Sequence, residues 1–124
     1  MAIIGKNIVR DNVQAPAGTT LAGQEFKPVT IDGTVTAATG DNFYGILLEG
    51  FDDKYPSVVA IKGVVEAYAV EALSKNDPIT GGAGGVAKAR LTVSTSGAVT
   101  AYDVVRGFAL EDIAAGAKGK IYLY

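Results

Sequence analysis

Histidine, cysteine and tryptophan are all absent from this chain of 124 residues. Without histidine, the commonest general base near neutral pH and the commonest metal ligand are missing. Without cysteine there is no disulfide, no thiolate nucleophile and no thiolate-bound metal. The usual catalytic triads and zinc sites are therefore excluded, and any enzyme would have to work with Asp, Glu, Lys or Tyr. Without tryptophan, a sugar-stacking platform would depend on four Phe and six Tyr scattered along the chain. Charge is also scarce. Asp, Glu, Lys and Arg make up 19%, against roughly 25% in soluble domains. A surface short of charge points to a covering partner. The net charge of -2 argues neither for nucleic acid nor for an acidic substrate. Lys62, Glu66 and Glu71 break the longest apolar stretches, so none approaches the roughly 20 residues of a membrane span. The first ten residues lack the basic region and apolar run of a signal peptide. The expectation is a chain made in a cytoplasm, or packaged into something assembled there.

What the chain does have is glycine, sixteen of them, with many Val, Thr and Ile. That mixture predicts short strands joined by turns. Turn signals recur at Asp32-Gly33, Gly40-Asp41-Asn42, Glu49-Gly50, Asp52-Asp53, Asn76-Asp77-Pro78, Gly81-Gly82 and Ser96-Gly97. The pattern predicts one all-β domain over residues 23–124, a small barrel or sandwich with at most one or two short helical turns. Strands are expected over 26–31, 34–38, 43–49, 57–70, 79–80, 86–89, 91–94, 98–101, 104–110 and at 120–124. Gly63, inside the strongest apolar run, marks a bulge or tight bend. Residues 111–115 suit one helical turn. No repeat of fixed period stands out. Residues 1–22 read differently. Ile3, Ile4, Ile8, Val9 and Val13 are strand-compatible but have no local turn to pair them, and Pro16 cannot donate to a ladder. The segment is expected to be an extended arm, with a first strand plus loop as the alternative.

Candidate chemistry is thin. The segment 82–87, Gly-Ala-Gly-Gly-Val-Ala, fits a loose dinucleotide-binding pattern, but strand residues follow it where a helix N-terminus is required. Asp41, Asp52 and Asp53 lack the regular oxygen spacing of a calcium loop. Glu49, Glu66, Glu71 and Glu111 include no pair that sequence can place at the separation of a glycosidase. Lys118 and Lys120 form no basic patch. Tyr122 and Tyr124 suit interface anchors, each an apolar body with a polar tip, or a half-buried strand end. The expectation is no catalytic residue, no metal and no cofactor.

Several segments, in order, resemble small capsid decoration (cement) proteins of tailed bacteriophages. They are Tyr44-Gly45-Ile46-Leu47-Leu48-Glu49, then Val58-Val59-Ala60-Ile61-Lys62-Gly63-Val64-Val65-Glu66. Ala72-Leu73-Ser74-Lys75-Asn76-Asp77-Pro78-Ile79 follows, with Asn76 where family members often carry glycine. The glycine-rich stretch from Arg106 to Gly116 and the closing Gly119-Lys120-Ile121-Tyr122-Leu123 complete the series. The resemblance covers about residues 43–124. It implies a β-barrel of the kind called a β-tulip. It also implies a structural, non-enzymatic role on the outer surface of a phage capsid, commonly as a homotrimer. The partner would be the major capsid protein, with neither nucleic acid nor membrane involved. On that reading the arm residues Ile3, Ile4, Lys6, Ile8, Val9, Arg10 and Val13 are the candidate capsid-binding element. A head-fibre base or tail component is the nearest alternative, and a free carbohydrate- or small-ligand-binding module is a more distant one.

Overall fold

The computed structural model describes residues 8–93 and 95–124. Among these there are strands and turns and no helix, so the expected all-β barrel is what the sequence folds into. Its spine is β4 (Ser57–Tyr68), the longest strand, built from the Val- and Ile-rich run that favours a pleated, two-sided burial. The first half of β4 pairs with β3 (Gly45–Glu49) on one edge and with β1 (Val9–Val13) on the other. Gly63 follows with φ 106, a backbone geometry that glycine adopts without strain. From there the second half of β4 pairs with β10 (Lys118–Leu123). The sheet continues through β9 (Gly107–Ala109), β5 (Pro78–Gly82) and β6 (Gly85–Lys88). A parallel bridge from Ala69 to Val86 brings β6 back to the end of β4 and all but closes the barrel. Two-residue β2 (Pro28–Val29) borders β3, and β7 (Leu91–Val93) with β8 (Val99–Tyr102) forms a separate ribbon.

Two cores result, one on each side of the β3–β4 pair. Ile46 and Ala60, directly opposed, join Val65, Ala67, Leu73, Ile79, Val86, Ala109, Ile121 and Leu123 in the barrel interior. Leu47 and Val59, the next opposed pair, face the other way. They are sealed by Val13, Ala15, Leu21 and Val29. Over the described residues this second core fits the alternative of a first strand plus loop and not the extended arm. Residues 9–22 are a strand and a cover packed on the barrel, because the outer face of β3–β4 is too apolar to leave wet. The alternation rule hides this, since Leu47 and Val59 sit where a one-sided strand would carry polar residues. Residues 1–7, including Ile3, Ile4 and Lys6, lie outside the described residues.

The connections show an internal repeat that the sequence reading does not anticipate. Ala67-Tyr68-Ala69-Val70-Glu71-Ala72-Leu73 is echoed forty residues later by Gly107-Phe108-Ala109-Leu110-Glu111-Asp112-Ile113. The two units meet about a local pseudo-two-fold. Leu73 and Ile113 exchange both backbone hydrogen bonds at 2.8 Å. Asn76 donates its N–H to the Ala109 carbonyl and Gly116 donates to Ala69, both at 2.7 Å. Asn76 and Gly116 share the left-handed conformation, φ 75 and 79. The expected helical turn over 111–115 is replaced by this geometry, because the Ile113 N–H and C=O are both engaged by Leu73. The strand expected over 34–38 is likewise reduced to a single bridge, Val29 to Val35.

One buried polar atom stands out. Thr80 is fully buried and its hydroxyl has no hydrogen-bond partner among the described residues. A desolvated, unpaired hydroxyl costs about 1–3 kcal/mol, and valine has nearly the same shape. Thr80→Val should therefore stabilise the fold by about 1 kcal/mol. The check is a higher urea midpoint at unchanged slope, and a lower midpoint would show that the hydroxyl has a partner.

Candidate partner-binding surface

The candidate arm residues are dispersed by the fold. Val13 is buried in the second core and Ile8 packs against the main one. Val9 and Arg10 are exposed on β1. Beside them, the Asp11 carboxylate accepts the Asn12 N–H at 2.8 Å and, through its other oxygen, the Tyr44 hydroxyl. Tyr44 precedes β3, so this bond ties β1 to β3 across the intervening β4. The Tyr44 hydroxyl, followed by the Asn12 N–H, holds the Asp11 carboxyl below its ordinary range. The same contact raises the Tyr44 phenol.

Of the acidic residues singled out in the sequence, Glu49 and Glu66 lie on β3 and β4, and the others shape loops. The Asp41 carboxylate accepts the Ala37 and Ala38 N–H groups, both at 3.0 Å. Asp52 accepts from Lys54 and Asp53 from Gly18. Glu71 pairs with the Arg90 guanidinium, which depresses its carboxyl, and Glu111 accepts the Lys120 N–H at 2.8 Å. No group of three potential metal ligands converges among the described residues. The glycine-rich segment is the β5–β6 hairpin; with strand on both sides of it, no helix N-terminus points at a phosphate.

What the fold does assemble is an apolar stripe on the outside of the barrel. Pro78 lies opposite Phe108, Phe108 opposite Tyr122, and Tyr122 opposite Val64. Directly opposed residues share a face, so these four, one from each of β5, β9, β10 and β4, form a continuous row. All are partly exposed, whereas Ile79, Gly107, Ile121, Leu123 and Val65 beside them are buried. The Phe108 and Tyr122 rings stack at 5.5 Å, and Tyr124, 55% exposed, leans on both at 6.3 and 6.5 Å. Lys62 and Glu66 flank Val64 along β4, both exposed, and Glu66 is opposite Lys120. An aromatic centre with a charged rim has the composition of a protein-binding patch. Sequence reasoning named Tyr122 and Tyr124 and missed Phe108, Val64 and Pro78, which only strand pairing brings into line.

No protein-family model matches the chain, and no curated protein matches it significantly. Among solved structures it is similar to the N base of head fiber gp8.5 of bacteriophage phi29, with a TM-score of 0.60 and 15% identity over 94% of each chain. At that identity the likeness is one of fold, and it extends over nearly the whole length of both chains.

Proposed function

We propose that this chain is a structural protein of a tailed-phage head, bound to the outer surface of the shell, with no catalytic step and no cofactor. The observation that carries the reading is the near full-length fold likeness to a head-fibre base. It agrees with the ordered resemblance of residues 43–124 to capsid decoration proteins. Two finer assignments share this location. The sequence resemblance favours a cement protein that stabilises the shell, working as a homotrimer on the major capsid protein. The fold likeness favours the base of a head fibre. In either role, weak contacts repeated over several copies sum to tight attachment.

The stripe of Phe108, Tyr122 and Val64 supplies the contact on this reading. Aromatic anchors at an interface centre are worth about 2 kcal/mol or more each when truncated. The double variant Phe108→Ser/Tyr122→Ser, mixed with shells that lack the protein, should lose at least about 100-fold in affinity. Its circular dichroism should stay that of the parent, since both side chains face outward. Undiminished decoration by the variant removes the stripe from the interface. A reconstruction of the particle decides the rest. Density on the outer shell surface is expected, and isolated monomers or dimers on two-fold axes would overturn the trimer.

A further inference from the structure

Arg106 is a half-buried cation with no carboxylate partner among the described residues. It lines a pocket with Thr30, Ile31, Asn42, Phe43 and Tyr44. Its guanidinium donates to the Phe43 and Tyr44 carbonyls, the latter at 3.3 Å, and lies 5.0 Å from the centre of the Phe43 ring. These neutral contacts fix the fork but leave other N–H donors of the group unengaged among the described residues. No carboxylate pairs with it there; the described ion pairs are those of Lys88 with Asp77 and Arg90 with Glu71. The contrast with Arg90 is informative. Arg90 is exposed and has Glu71 in contact, with Asp103 and Asp77 contributing favourable charge. Arg106 is more buried, and its own desolvation disfavours the charged form. The Tyr44 hydroxyl is itself committed to Asp11. A buried charge is ordinarily paired. Here the charge is held rigid, oriented and open to an exposed pocket mouth where Ile31 is 67% accessible.

We propose that the Arg106 pocket receives a carboxylate presented by a partner protein, an aspartate or glutamate side chain or a chain terminus. A planar guanidinium fork matches the two oxygens of a carboxylate. Ile31 and the Phe43 ring supply apolar walls for the methylenes that carry it. The inference stands independently of the role on a phage head, since it concerns the chemistry of one pocket.

The test is an NMR titration of the intact ¹⁵N-labelled chain with sodium acetate at constant ionic strength, following the side-chain Nε–H signals of the arginines. The Arg106 signal should shift saturably, with half-saturation at least tenfold below that of any shift at Arg10, and acetamide should produce no such shift. A response at Arg106 no different from that at exposed Arg10 would overturn the proposal. So would inorganic phosphate saturating the site tenfold more readily than acetate. Arg106→Lys keeps the charge and removes the fork. With the Phe43 and Tyr44 amides as reporters, this variant should lose the saturable response. An unchanged half-saturation there would show that the guanidinium is not the receptor.

Discussion

A chain truncated to begin at Gln14 will fail to fold, or will fold with most of its stability gone. The truncation removes β1, which pairs with β4 along residues 57–62. It also removes Val13, 4% exposed in the second core. Burying one valine contributes about 1.5–3 kcal/mol, and each ladder hydrogen bond about 1 kcal/mol net. The combined loss of about 5 kcal/mol or more compares with a total of about 5–15 kcal/mol for a domain. The damage goes further, because Leu47 and Val59 lose part of their cover and β4 becomes a bare edge. The measurement is urea unfolding followed by circular dichroism at the β band. A truncated protein that unfolds cooperatively at the parent's midpoint would show that β1 is dispensable, as a free arm would be. Arg10→Ala, on an exposed site of the same strand, is the control and should stay within about 0.5 kcal/mol.

The contrast between β1 and the rest of the barrel shows what the sequence makes legible. β4 announces itself as the strongest apolar run of the chain, and β5, β6 and β10 as short runs that follow a turn signal, Asn76-Asp77-Pro78 or a glycine cluster. The place of Gly63 as the bend of β4 is equally readable, since a glycine inside such a run has few other uses. β1 is not readable this way. Its sequence, Val-Arg-Asp-Asn-Val and mostly exposed, has no hairpin partner nearby, and its true partner lies some fifty residues on. Pairing at that distance leaves no local signature. The same holds for the stripe. Tyr122 can be seen to alternate with Ile121 and Leu123, but its row mates Phe108, Pro78 and Val64 come from three other strands. The repeat centred on Leu73 and Ile113 was open to view as Ala-x-Ala-x-Glu against Gly-x-Ala-x-Glu. Only two of its seven positions are identical, however, and the left-handed residues that define it, Asn76 and Gly116, differ in type. Arg106 carried no signal at all, since whether a charge has a partner is a property of surroundings and not of spacing.

Gly107→Ala should be the most damaging single methyl in the barrel's second repeat unit. A Cβ at this position would lie 1.8 Å from the Tyr122 carbonyl oxygen, 2.9 Å from its carbon and 3.2 Å from the Leu123 Cα. All three are backbone atoms of β10, so no side chain can swing aside to make room. β9 is only three residues long and is held on both edges, by Leu123 of β10 and Ile79 of β5. Moving it away breaks one ladder or the other. The loss should exceed about 4 kcal/mol, a range reached only when the backbone or core is forced apart. The repeat explains why the methyl is tolerated elsewhere. At the equivalent position of the first unit, Ala67 carries a fully buried Cβ and sits opposite Gly119. In the second unit Gly107 sits opposite Ile79. Each pair joins a glycine to a larger residue, with the sizes exchanged between the two units, so the interior is filled once in either arrangement. Ala67→Gly should accordingly cost only about 1 kcal/mol, and Gly97→Asn, at an open left-handed turn position with φ 85 and no atom within 4 Å, should be nearly neutral. Unfolding midpoints of the three variants provide the comparison. If Gly107→Ala unfolds no more readily than Ala67→Gly, β9 has room to move, and the close approach of β9 to β10 is not what fixes glycine at this position.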